Sequence, residues 1–171
     1  MKDLGDRIIS DIVKCGELFV ADCDDKSKVP NVTMSFYANH GFYPEPWQLL
    51  TCTKSTTEEE LTIFIKRCFF ASKNGYEGHL FCMANLELLD FELQYYLVNK
   101  IRFFMEQVDD YYLALICCSQ TGMHHHILDQ FSENVHATNG LRTVAMRAIY
   151  HELYPKVTYV TSDLSRQGKM E

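Results

Sequence analysis

Gly168-Lys169, close to the end of the 171-residue sequence, is the pair of residues with the most specific chemistry. It follows a short β-branched and aromatic run, Val157 to Thr161, that reads as a buried strand. A strand, a polar loop and Gly-Lys open a phosphate-binding loop, in which backbone N–H groups surround the phosphates and the lysine ammonium reaches the outer ones. The complete pattern needs glycine where Asp163 stands, and a Ser or Thr hydroxyl for Mg²⁺ where Met170 stands. The helix that would complete the anion site is absent from the 171 residues, which end at Glu171. The expectation is a remnant phosphate loop at Gly168 and Lys169 that binds no nucleotide in this chain.

Three other constellations could carry chemistry. His124-His125-His126 lies close in sequence to Cys117-Cys118, both residue types being metal ligands. Adjacent histidines point different ways, however, and adjacent strand cysteines face opposite sides, whereas zinc wants about four convergent ligands. These histidines read as part of a polar solvent loop, and no metal site is expected. Cys52 and Cys82 could be nucleophiles, yet each sits in an apolar strand with no histidine beside it, which favours core packing. Glu58-Glu59-Glu60 and Glu87 could supply paired carboxylates, but the first three open a helix, where acids suit the helix dipole. No catalytic residue is assigned.

The elements that would hold these groups alternate between strand and helix. Leu4, Ile8, Ile12, Cys15 and Phe19 predict an amphipathic helix over 3–19. Residues 20–46 mix charge, glycine and proline and read as a linker or long loop, with room for one short strand in Val32–Tyr37. Gln48–Thr53 reads as a strand. Thr56 or Thr57 then caps a helix, with Glu59 or Glu60 completing a capping box and Leu61, Phe64, Ile65, Cys68 and Phe69 on one face. His79–Ala84 and Tyr111–Cys118 are continuous apolar runs of strand length, separated by a helix through Leu89, Leu93, Leu97, Ile101, Phe104 and Met105. Asn134–Ala137 has room for a short strand, and a further helix is expected over 141–153 before the Val157 run. Strands that are apolar throughout are buried on both faces, so the expected fold is α/β, a mainly parallel sheet flanked by helices, with an N-terminal amphipathic helix. Ligands gather at the C-terminal ends of such strands, here loops 53–57, 84–88 and 119–126.

Composition bounds the partners. The chain is 47% hydrophobic and 13% aromatic, enough for a packed core. Its net charge of −7 argues against a nucleic-acid partner. No apolar run approaches the roughly 20 residues of a membrane span, and the N-terminus carries no leader. Seven cysteines without a Cys-x-x-Cys pair read as reduced core thiols of a cytoplasmic protein. The aromatics Phe91, Tyr95, Tyr96, Phe103, Phe104, Tyr111 and Tyr112 cover more than one helical face, which points to burial against a neighbouring module and to protein partners through exposed apolar helix faces.

These residues carry a family resemblance over 45–171. Trp47-Gln-Leu-Leu-Thr-Cys-Thr, then Thr57-Glu-Glu-Glu-Leu, Lys66-Arg-Cys, Leu80-Phe-Cys-Met-Ala-Asn-Leu-Glu-Leu-Leu and Tyr112-Leu-Ala-Leu-Ile-Cys-Cys resemble, in order and spacing, a region of the mysterin family. Mysterin-like proteins are giant chains joining AAA+ ATPase units to a RING-containing E3 ubiquitin ligase. Tyr159-Val-Thr-Ser and Gly168-Lys169 resemble the strand and phosphate loop of the AAA+ unit that follows. The resemblance implies an AAA+/P-loop-like architecture, ATP and Mg²⁺ as the family's cofactors, and neighbouring AAA+ units of the same larger chain as partners. It also implies three segments: an N-terminal helix and linker (1–44), a degenerate AAA-like domain (45–155), and the start of a following unit (156–171). The departures imply loss of chemistry. Arg166-Gln-Gly-Lys-Met stands where the family has glycine, one residue and Gly-Lys-Ser. Thr53-Lys-Ser-Thr after the expected first strand has no glycine, and Asn85-Leu-Glu87 lacks an acidic pair. No Cys/His set has RING spacing, so ligase activity belongs to other parts of the resembled protein. The expected role is a scaffold fragment with a degenerate ATP-binding loop and none of its own cofactors. The alternative is an independent small α/β binding module whose Gly-Lys is fortuitous.

Overall fold

The structure, a computed structural model, describes residues 12–119 and 125–140. Five strands form one sheet: β1 (Leu18–Cys23), β2 (Leu49–Thr51), β3 (Leu80–Ala84), β4 (Tyr112–Cys118) and β5 (Val135–Ala137). They lie in the order β2-β3-β4-β1-β5, and every pairing is parallel. All five residues of β3 and the last six of β4 are buried. Such strands cannot turn one face to water, so both faces of the sheet must be covered.

The cover is unequal among the described residues. Helix α1 (Val29–His40) packs Val29, Val32, Phe36 and Tyr37 against Phe19, Ala21, Leu80, Cys82, Ala114 and Ile116 on one face. Helices α2 (Glu58–Phe69), α3 (Phe91–Met105) and α4 (His126–Gln130) cover the opposite face, where Val20, Phe81, Met83, Leu113, Leu115 and Cys117 point. The expected α/β architecture, a parallel sheet flanked by helices, is therefore what the chain adopts.

Local signals explain the helix ends. Thr57 caps α2 and shares a reciprocal capping box with Glu60, while Asp90 caps α3 by accepting from Leu93 N–H at 2.8 Å. Gly41, in the left-handed region at φ 93°, closes α1 and donates its N–H to Tyr37 O at 3.0 Å. Tyr37 ties this helix to the sheet, its buried hydroxyl donating to Leu80 O at 2.7 Å.

The first forty-odd residues depart from expectation. No helix covers 12–17: the chain turns at Cys15-Gly16, and β1 begins at Leu18. Gly16 sits at φ 77° and donates its N–H to Tyr111 O at 2.8 Å, a geometry that ends any helical register. The apparent periodicity of Ile12, Cys15 and Phe19 belongs instead to a turn and to a strand buried on both faces. Residues 1–11, the rest of that expected helix, lie outside the described residues. The segment 20–46 is no linker, since it carries most of β1 and all of α1, and Val32–Tyr37 is helix and not strand. Its charges, Asp22, Asp24, Asp25, Lys26 and Lys28, crowd around one strand-to-helix junction. Pro30 is tolerated because it falls in the first helical turn, where its missing N–H has no intrahelical partner to lose. Because β1 lies between β4 and β5, one sheet runs through residue 45, where a boundary was expected. The expected helix over 141–153 and the Val157 strand lie outside the described residues.

Candidate functional site

The connection leaving β1 passes to the α1 face, whereas those leaving β2, β3 and β4 pass to the face of α2, α3 and α4. The neighbours β1 and β4 thus send their chains to opposite sides and open a crevice between their C-terminal ends, which in a doubly wound sheet is where ligands bind. The loop at the phosphate-binding position is therefore Asp24–Lys28, between β1 and α1. The 53–57 loop, read from sequence as following the first strand, instead follows the edge strand β2, and its hydroxyls serve its own backbone: Thr53 N–H donates to Thr56 Oγ1 at 2.8 Å.

The β1–α1 loop is not built like a phosphate cradle. It has no glycine; none occurs between Gly16 and Gly41. Asp25 caps a single 3-10 turn, Lys26–Lys28, that runs straight into α1. One Asp25 carboxylate oxygen accepts from the Ser27 N–H at 2.9 Å and from the Ser27 hydroxyl at 2.8 Å. Those bonds, the hydroxyl's first and the backbone's second, hold the exposed Asp25 carboxyl below its ordinary value. A donor that a phosphate loop would offer to its ligand is thus occupied by an anionic side chain of the loop itself.

The neighbouring strand ends add further carboxylates. Ser119 Oγ donates to Asp22 Oδ1, clasping β4 to β1. Glu87 lies in the loop after β3. Its Oε1 accepts from Cys118 N–H at 3.0 Å, while its Oε2 is buried without a hydrogen-bond partner. Asn85, two residues before it, adopts the left-handed conformation at φ 61°, the only described non-glycine residue at positive φ. Asp22, Asp24, Asp25 and Glu87 therefore frame the crevice with negative charge, relieved on the loop by Lys26 and Lys28.

The remaining candidates separate cleanly. Cys52 and Cys82 are buried, and burial above all pushes each thiol up to about 12, as expected of core residues. The histidines are not a solvent loop. His125, 7% exposed, precedes α4, and His126 packs edge-on against Phe91 at 5.0 Å and also contacts Tyr95. The solvent-loop reading fails because α4 begins at His126 and lies against the first turn of α3; His124 is outside the described residues. Among the described residues no three His, Cys, Asp or Glu side chains converge as metal ligands. Gly168 and Lys169 also lie outside the described residues. A surface cavity of about 490 Å³ between Ile12, Phe42, His40 and Tyr112 sits at the opposite end of the sheet, away from this crevice. Phe91, Tyr95 and Phe103 on α3 and Ile63 on α2 are more than half exposed, whereas Phe104 and Tyr111 are buried.

Sequence reasoning missed Asp24–Lys28 because it folded Leu18 and Phe19 into a helix. The usable signal was Phe19-Val-Ala-Asp-Cys, a β-type run passing directly into polar residues and then a capped helix.

A five-stranded parallel sheet with its first strand inside, and a strand–loop–helix at the switch point, defines an AAA+ ATPase-like module. The family model of the RNF213 AAA domain matches residues 20–136, more than half of the chain, and the chain belongs to that family. No curated protein matches it. Among solved structures it is similar to a DNA polymerase III gamma subunit-related protein from Thermotoga maritima, at 12% identity and a TM-score of 0.47. That likeness covers 83% of this chain and 45% of the other, so the chain spans less than half of that structure. No helix of the described residues is long and apolar enough to cross a membrane.

Proposed function

We propose that this chain is a degenerate AAA unit of a larger mysterin-like AAA+ ATPase and E3 ubiquitin ligase, contributing architecture without binding ATP. The observation that carries the reading is the Asp25 carboxylate on the Ser27 N–H, in a loop that has no glycine where a phosphate cradle needs several. A polyphosphate entering the crevice would meet the carboxylates of Asp22, Asp24, Asp25 and Glu87 before it found a free backbone donor. In this reading the chain uses no cofactor, and Gly168 and Lys169 are the remnant phosphate loop of a following unit. ATP, Mg²⁺ and ubiquitin transfer belong to other parts of the cytoplasmic assembly. The partners are neighbouring AAA+ units, met in part through the exposed Phe91, Tyr95 and Phe103 of α3.

Titration calorimetry with ATP, with and without Mg²⁺, tests the central claim. No binding heat is expected under either condition. Micromolar affinity would overturn it, because the loop would then have to release Asp25 and rebuild around phosphate.

A further inference from the structure

We propose that Cys23 and Cys118 form a dithiol–disulfide pair at the mouth of the β1–β4 crevice, a site of reversible oxidation by small-molecule disulfides. The two are register partners, each the last residue of its strand. Adjacent strands run about 4.8 Å apart, inside the Cα separation of about 4.4–6.8 Å that a disulfide spans. Both side chains belong to the core cluster on the α1 face, whereas Cys117, next in sequence, belongs to the opposite one. Cys23 Sγ donates to Asp25 O at 3.1 Å. Cys82 shares the cluster but pairs with Ala114, four residues down β4 from Cys118, or roughly 13 Å along the strand. Of the buried cysteines, only Cys23 and Cys118 meet across a ladder on one face.

The exchange is balanced. Cys118, at 5% exposure the more accessible of the two, loses its proton to solvent. Its thiolate attacks one sulfur of a disulfide RS–SR and expels RS⁻. The Cys23 thiolate then attacks the Cys118 sulfur of the mixed disulfide and expels the second RS⁻. Two protein thiols give up two electrons and two protons, and RS–SR becomes two RSH. Burial first, and the Glu87 carboxylate second, push the Cys118 thiol up to about 12, so the folded protein reacts through a small thiolate fraction. The pair therefore stays reduced under brief exposure and answers to sustained oxidation or higher pH. Closing the bond also removes the S–H donor from Asp25 O, so oxidation acts directly on the loop between β1 and α1.

The test is incubation of the full 171-residue chain, folded, with oxidised glutathione at pH 7 and pH 8, followed by acid quench, differential alkylation and peptide mass mapping. A Cys23–Cys118 cross-linked peptide is expected, formed about tenfold faster per pH unit because the thiolate fraction rises by that factor. Cys117→Ser should leave the cross-link unchanged, and circular dichroism should show the fold retained. A Cys117–Cys118 link, glutathione adducts without an internal disulfide, or no cross-link after prolonged oxidation of the folded chain would each overturn the proposal. Because the wild-type map carries the result, it does not depend on Cys23→Ser or Cys118→Ser folding.

Discussion

Asp25 and Ser27 are joined twice, one carboxylate oxygen accepting from both the backbone N–H and the hydroxyl of the serine. This small ring occupies the place in the fold where a nucleotide-binding module would hold phosphate, and it makes the β1–α1 junction self-sufficient.

Asp25→Ala should lower the melting temperature, and the loss should depend on pH. The folded carboxyl lies below the ordinary 3.8, so its contribution is fully present well above that pH and disappears as pH falls through the folded value. Melting curves of the two proteins should differ more at pH 6 than at pH 2.5. Equal differences at both would mean that the ionised cap is not what stabilises the loop.

The capping box of α2 offers a separate measurement. Thr57 Oγ1 accepts from Glu60 N–H at 3.2 Å, and the Glu60 carboxylate reaches back to Thr57 N–H at 3.3 Å. Thr57→Ala should cost about 1 kcal/mol in urea unfolding, with Thr57→Ser recovering most of it. A neutral alanine substitution would show that α2 is held by its packed face alone.

Two glycines with similar backbone angles should respond differently to alanine. At Gly41, φ 93°, an added Cβ meets nothing within 4 Å, so about 1–2 kcal/mol of left-handed strain is expected. At Gly16, φ 77°, the Cβ would stand 2.6 Å from the carbonyl oxygen of Asp109, so the cost should exceed that of Gly41→Ala. Denaturation midpoints compare the two directly, and equal losses would rule out the close approach of the 15–17 turn to the start of β4.

The Tyr37 hydroxyl shares the acceptor Leu80 O with Gln48 Nε2, at 2.7 and 2.8 Å. Tyr37→Phe should destabilise by about 1 kcal/mol, because one donor to a buried carbonyl remains. Combining it with Gln48→Leu should give a non-additive loss, since both side chains serve one oxygen. Simple additivity would mean that the two bonds act independently.

By itself the sequence determined the elements whose signals are local. The capping box at Thr56 or Thr57, the apolar face from Leu89 to Met105, and the apolar runs at His79–Ala84 and Tyr111–Cys118 signal α2, α3, β3 and β4, although α2 ends at Phe69, before the stop expected at Asn74-Gly75. Their unbroken apolar character also implied a parallel, doubly covered sheet. Tertiary structure alone decided what β1 pairs with. Leu18 finds Leu113, and Val20 finds both Leu115 and Val135, across about a hundred residues of chain that no short-range pattern spans. With β1 in the middle, the crevice moves from the 53–57 loop to Asp24–Lys28, and acids that read as linker charge become the lining of the candidate site. The physical reason is that capping and periodicity act over one or two helical turns, whereas strand order is settled by which buried faces can be covered together.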